Sequence, residues 1–128
     1  MKAKIGFAEN RFSITGAAPI NPDILTLFHS LGIPIFEGYG MTEDTAGATL
    51  NYAGNNKIGT VGKPFPGTEM SVAADGELLI RGPHVMKGYY RNPEATADTI
   101  DSDGWLHTGD VGSIDSDGYV KITGRKKE

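Results

Sequence analysis

Cysteine is absent from the 128-residue chain. That excludes disulfide staples, thiol nucleophiles and thiolate-held zinc, and it suits a cytoplasmic location, which is the expectation here. Basic residues are in deficit: 12 lysines and arginines against 16 aspartates and glutamates leave a formal charge of −4. A nucleic-acid binder normally presents a basic face, so no nucleic-acid partner is expected. Long apolar runs are missing too. No stretch approaches the roughly 20 residues needed to cross a bilayer, and the basic start Met1-Lys2-Ala3-Lys4 lacks the apolar stretch of a secretion signal. His29, His84 and His107 show no metal-ligand spacing. Asp101-x-Asp103-Gly104 lacks the remaining ligands of a calcium loop, and Gly59-Thr60-Val61-Gly62-Lys63 lacks the spacing and hydroxyl of a P-loop.

What is present is ordinary for a soluble domain, with 38% hydrophobic and 22% charged residues. Glycine is the exception: there are 18, about twice the usual share of roughly 7%. The glycines sit between strand-like runs or inside short polar clusters, a placement that predicts tight turns and backbone-lined binding surfaces.

The first unit reads as strand, helix, strand. Arg11 to Thr15 alternates polar and apolar residues and ends at Gly16. Asn21-Pro22-Asp23 supplies a cap, a first-position proline and a first-turn acid. Ile24, Leu27, Phe28 and Leu31 follow at helical spacing and predict one buried stripe. Gly32 and Pro34 stop the helix. Ile33 to Phe36 reads as a strand buried on both faces of a parallel sheet, giving a right-handed βαβ crossover over residues 11–38. Beyond about Asn51, short strand candidates at Thr68 to Val72, Glu77 to Arg81, Val111 to Ile114 and Tyr119 to Thr123 are separated by Asp-Gly turns. Asn92-Pro93-Glu94 caps a weak helix running to about Ile100. Leu78 and Ile80 share one strand face, as do Val120 and Ile122. The fold class expected is α+β: a βαβ piece of a parallel sheet, then a small distorted antiparallel β-barrel. The expected division is 1–56, 57–123 and a closing segment 124–128.

The densest chemistry lies at Gly38-Tyr39-Gly40-Met41-Thr42-Glu43, directly after the second strand, where open α/β sheets bind ligands. Two glycines admit close backbone contact and Tyr39 offers a stacking face. Thr42 offers a hydroxyl for a phosphate oxygen, and Glu43 a hard oxygen for Mg²⁺. A glycine-rich turn with an exposed acid fits the same residues, and the chemistry alone does not choose between the two.

That segment resembles the Tyr-Gly-x-Thr-Glu signature of the adenylate-forming superfamily of acyl-CoA synthetases, luciferases and peptide-synthetase adenylation domains. Further stretches resemble that family's other signatures in the same order. They are Thr15-Gly16-Ala17-Ala18-Pro19, Gly76 to Pro83 running on into Met86-Lys87-Gly88-Tyr89-Tyr90, Trp105-Leu106-His107-Thr108-Gly109-Asp110, and Gly124-Arg125-Lys126-Lys127-Glu128. The resemblance covers nearly the whole chain and is greatest to long-chain fatty acyl-CoA synthetases. The sequence departs from a frequent glutamine at Glu37.

The resemblance implies roles. Tyr39 stacks on adenine, with the Gly16, Ala17 and Ala18 backbone along its other side and Gly38, Gly40 and Met41 completing the loop. Thr42 holds the α-phosphate and Glu43 the magnesium; these two are the catalytic candidates. Asp110 accepts from both ribose hydroxyls, Arg125 reaches the ribose from the other side, and Ile122 packs beneath it. Lys127 is the hinge for a further domain. Read without the resemblance, Asp110 is a turn carboxylate and Arg125 a surface charge.

No counterpart of the family's upstream phosphate loop or of its C-terminal lysine is found. The expectation is therefore a fragment, inactive by itself, of an enzyme that forms an acyl-adenylate from a fatty acid and ATP and then an acyl-CoA thioester. ATP or AMP, Mg²⁺ and coenzyme A are the implied cofactors and co-substrates. Two alternatives stand beside this: an adenylation module that loads a carrier protein, and a non-catalytic nucleotide-binding or interaction fragment. Self-association through an unpaired edge of the parallel sheet is also expected.

Overall fold

The computed structural model describes residues 2–126. A 3-10 turn at Lys2–Ile5 precedes β1 (Ser13–Thr15), α1 (Pro22–Ser30) and β2 (Ile35–Tyr39). Helix α1 starts as its sequence predicts. Asn21 Oδ1 accepts the Asp23 N–H at 2.8 Å, and Pro22 occupies the first turn. It ends with Gly32 N–H donating to His29 O and Ile33 N–H to Phe28 O, both at 2.9 Å, which returns the chain towards β2. β1 and β2 then pair in parallel, Ser13 opposite Ile35 and Thr15 opposite Glu37, completing the βαβ unit. Replacing Asn21 with Ala should cost about 1 kcal/mol, read as a lower urea midpoint with an unchanged m-value. An unchanged midpoint would show that the cap contributes nothing.

Two very short strands extend this sheet: β3 (Thr49–Leu50) and β4 (Lys63–Pro64) run antiparallel, giving the order β1-β2-β3-β4. The second sheet is a curled antiparallel meander of β5 (Glu69–Val72), β6 (Glu77–Arg81), β7 (Leu106–Ile114) and β8 (Val120–Arg125). Helix α2 (Pro93–Thr99), capped by Asn92 Oδ1 on the Ala95 N–H at 3.1 Å, lies between β6 and β7 in sequence. No helix among the described residues is long and apolar enough to cross a membrane.

The core sits between the sheets in two clusters, Ala48 with Ile80 and Leu106, and Val61 with Leu78 and Val120; Tyr39 and Met70 pack on both. The expected inner face of β6 is therefore realised, with Leu78 and Ile80 fully buried. The helical stripe is not. Leu25 is the side chain α1 buries (1% exposed), whereas Ile24 and Leu27 remain 44% and 56% exposed. The i, i+3, i+4 pattern marks an apolar face, but only the strip of helix that meets β2 is covered among the described residues.

Candidate functional site

β2 delivers the Gly38-to-Glu43 segment to the centre of the molecule. Gly40 has no room for a side chain, since a Cβ there would lie 2.5 Å from the Ala46 carbonyl carbon and 2.6 Å from the Gly47 nitrogen. The glycine is thus required first by the chain's own return at Ala46-Gly47, a closer neighbour than any ligand. The turn Thr42–Asp44 that follows is held by Asp44. This residue is fully buried, and its Oδ1 accepts the N–H groups of Met41 at 2.9 Å and Gly47 at 3.1 Å. Burial pushes the Asp44 carboxyl above its ordinary pKa, against the pull of those backbone hydrogen bonds. In the sequence Asp44 is one more acid beside Glu43; only its burial reveals the capping role.

A cleft of about 560 Å³ opens where the end of β2, the loop after β1, the 59–61 segment and β8 meet. Of the residues singled out from sequence, Ala17, Ala18, Gly38, Tyr39, Gly40, Met41, Asp110, Ile122 and Arg125 all line it. Gly16, Thr42 and Glu43 do not line it. Lys127 lies outside the described residues. The cleft also takes Glu37, which the sequence marked only as a departure from a frequent glutamine, and Gly59, Thr60 and Val61, which it offered only as a failed P-loop. Burial raises the Glu37 carboxyl above its usual range, opposed by a backbone hydrogen bond from Ile20.

Tyr39 and Asp110, far apart in sequence, meet on one wall. The Tyr39 hydroxyl donates to Asp110 Oδ2 at 2.6 Å, and Arg125 Nε donates to Asp110 Oδ1 at 3.0 Å. Burial first, and then the hydrogen bond to this carboxylate, hold the Tyr39 phenol well above its ordinary pKa. Asp110 is 7% exposed, whereas the Arg125 side chain is 82% exposed on the outer rim. Each carboxylate oxygen thus has one protein donor and retains a second lone pair.

A bulge aims Asp110. Along β6 and β7 the register runs regularly from Ile80↔Leu106 to Leu79↔His107 and then shifts, so that Glu77 faces Val111. Thr108, Gly109 and Asp110 stand opposite the single residue Leu78 of β6, while Asp110 stays paired with Arg125 of β8, and bulges of this kind re-aim side chains beside binding sites. Side chains replace the lost ladder bonds: Thr108 Oγ1 donates to Leu78 O at 2.7 Å, and the Gly109 N–H donates to Glu77 Oε1 at 2.9 Å.

Thr42 and Glu43 stand beyond the cleft on the Thr42–Asp44 turn. Glu43 Oε1 accepts the Tyr89 hydroxyl at 2.7 Å, joining two sequence signatures across the fold. Among the described residues no group of three or more histidine, aspartate or glutamate side chains is placed to hold a metal ion. A single carboxylate still fits Mg²⁺, which takes one or two carboxylates and completes its shell with phosphate and water oxygens.

Comparison with known proteins agrees with this geometry. The profile of the family described as "AMP-binding enzyme" matches residues 3–90. The chain is 52% identical over its whole length to the putative fatty-acid–CoA ligase fadD11 of Mycobacterium tuberculosis, of which it spans 22%. It is 46% identical over 92% of its length to the long-chain-fatty-acid–CoA ligase FadD15 of Mycobacterium bovis, spanning 20% of that protein. The crystal structure of apo MatB from Rhodopseudomonas palustris superposes with a TM-score of 0.88 at 37% identity, covering 97% of this chain and 27% of that one. The chain therefore spans about a fifth of the length of the curated relatives it matches. With a matching profile over most of its residues and the cleft built from the signatures it carries, the chain belongs to the AMP-binding enzyme family.

Proposed function

We propose that this chain supplies the adenosine-facing part of an ATP-dependent long-chain fatty acid–CoA ligase. The observation that carries the reading is the single cleft in which the Ala17-Ala18 loop, Tyr39, Asp110 and Arg125 converge from distant parts of the sequence. The names of the relatives support coenzyme A, rather than a carrier protein, as the acyl acceptor.

In this reading the Tyr39 ring, fixed by its own hydroxyl, presents a flat face to adenine beside the Ala17-Ala18 backbone. Asp110 accepts from the ribose hydroxyls through its remaining lone pairs, and Arg125 closes the rim. The fatty carboxylate attacks the α-phosphorus of ATP: an acyl O–P bond forms, the bond to pyrophosphate breaks, and the electron pair leaves with pyrophosphate. The thiol of coenzyme A then adds at the acyl carbon, loses its proton and expels AMP. Thr42 holds an α-phosphate oxygen. Glu43, steadied by Tyr89, holds the Mg²⁺, which when bound offsets charge on the phosphate oxygens. Lys127 keeps its role as the hinge, and the division into 1–56, 57–123 and 124–128 is part of the proposal, with β4 crossing back to the first sheet. The exposure of Phe12, Ile14, Ile24 and Leu27 supports self-association through β1 and α1. A cytoplasmic setting fits a chain without cysteine.

An AMP titration followed by amide NMR tests the reading. Only a subset of nucleotide contacts is present, so the expected Kd is on the order of millimolar. Shifts should cluster at Tyr39, Asp110, Ile122 and Arg125. Shifts confined to other surfaces, or none at saturating AMP, overturn it.

A further inference from the structure

One buried carboxylate bonds to the sequence neighbours of both Asp110 and Arg125, and the chemistry above assigns it nothing. Glu77 opens β6, and its side chain is 5% exposed. Its Oε1 accepts the Gly109 N–H at 2.9 Å; its Oε2 lies 3.1 Å from His107 Nδ1 and 3.1 Å from Lys126 Nζ. Gly109 is the bulge residue next to Asp110, and its φ of +71° is one that L side chains rarely adopt. Both backbone groups of Gly109 are held, the N–H by Glu77 and the carbonyl by the Lys126 N–H at 2.8 Å. Lys126 follows Arg125 directly, and its ammonium is shared between Glu77 and Asp75, 2.7 Å away.

We propose that Glu77 is the positioning residue of the ribose end of the cleft: one oxygen holds the bulge that aims Asp110, and the other ties down the strand end that carries Arg125. The inference rests on the nucleotide reading above but adds a residue outside the cleft to it. The bulge strips Gly109 of its ladder partner on β6, and a half-buried amide without an acceptor is costly. The Glu77 carboxylate supplies that acceptor from the strand opposite. The same carboxylate faces the Lys126 ammonium and the His107 ring, so its oxygens are matched where they are buried.

His107 reports on the arrangement. Its Nδ1 faces Glu77 and its Nε2 lies 3.4 Å from Asp101 Oδ2, so only the doubly protonated ring donates to both carboxylates. Glu77 first, and then Asp101, raise its pKa, while burial lowers it. Glu77 itself is held below its ordinary pKa: burial pushes it up, and the bonds from His107, Gly109 and Lys126 together outweigh that.

The test is Glu77→Gln and Glu77→Ala in the full chain, read by NMR, with a thermal melt to check that each variant folds. Glutamine keeps one acceptor for Gly109 but turns a donor towards Lys126; alanine keeps neither. The His107 pKa should fall in both variants, because the largest cause of its elevation is gone. The Gly109 amide should exchange at a near wild-type rate in the glutamine variant and at least tenfold faster in the alanine variant. The AMP Kd should rise a few-fold with glutamine and about tenfold or more with alanine. An unchanged Gly109 amide and unchanged Kd in a folded Glu77→Ala variant overturn the proposal. If the wild-type chain shows no AMP shifts at all, the nucleotide reading falls instead, and Gly109 exchange together with the Arg125 side-chain resonance still decides whether Glu77 positions the bulge. Should Glu77→Ala not fold, the His107 pKa and the Lys126 ammonium shift in Glu77→Gln decide it.

Discussion

Replacing Gly62 with Ala is expected to cost about 3 kcal/mol or more, through left-handed strain and overpacking together. Gly62 has φ +89°, and a methyl group there would overlap the backbone of Leu50 and Asn51. No flexible side chain stands in the way to yield; the neighbours are the carbonyl and amide of β3 and its continuation. The position also joins the two sheets, because Val120 N–H donates to Gly62 O at 2.9 Å and Val61 N–H to Val120 O at 2.8 Å. Any backbone shift that relieves the overlap pulls on both bonds and on the buried Val61–Leu78–Val120 cluster. Gly67 provides the control: its φ is +87°, and a Cβ added there would meet nothing within 4 Å. Gly67→Ala carries the strain alone, ~1–2 kcal/mol. Urea midpoints of the two variants separate the effects. Equal losses would show that the overlap at Gly62 is relieved at no cost.

Replacing Asp110 with Ala is the change expected to hurt ligand binding most. It removes the acceptor of the Tyr39 hydroxyl and of Arg125 Nε at once. Hydrogen bonds to a charged group contribute ~1.5–3 kcal/mol, and ~1.4 kcal/mol is tenfold in affinity. AMP binding should therefore weaken by about tenfold to a hundredfold. A second readout needs no ligand. The carboxylate is one of the causes that hold the Tyr39 phenol up, so its pKa should fall in the variant while staying above the ordinary value, because burial persists. An ultraviolet titration follows that ionisation. If AMP affinity survives while the Tyr39 pKa falls, the pair exists but does not serve the nucleotide.

Much of the first half was legible in the sequence because its signals are local. The Asn21 cap, Pro22 and the Gly32 stop act within a few residues, and α1 spans the interval they mark. Asn92 does the same for α2. The second sheet was legible in part: β6 occupies Glu77–Arg81 as read, whereas β7 begins at Leu106 rather than near Val111. The stretch Thr108-Gly109-Asp110 carries no apolar alternation because its buried positions are the polar Thr108 and Asp110, and towards β6 it is paired by side chains instead of backbone. β3 and β4 are two residues each, too short for any periodicity to register.

The order of the signatures stood in the sequence by itself, and their likeness to a known family, taken together, pointed to Tyr39, Asp110, Ile122 and Arg125. There too stood the caps and the Asp-Gly turns, whose hydrogen bonds close within a few residues. Only the tertiary structure decided what those side chains bond to. Tyr39 meets Asp110 across 71 residues and Gly109 meets Glu77 across 32. It also decided which carboxylates matter in the interior. Asp44 and Glu77 look no different from Glu43 or Asp75 in a row of letters, yet of these four only the first two are buried. Burial depends on what covers a residue, and what covers these two arrives from strands and loops far along the chain. Once water is excluded from a carboxylate its oxygens need partners within the protein, and both the exclusion and the partners are set here by packing.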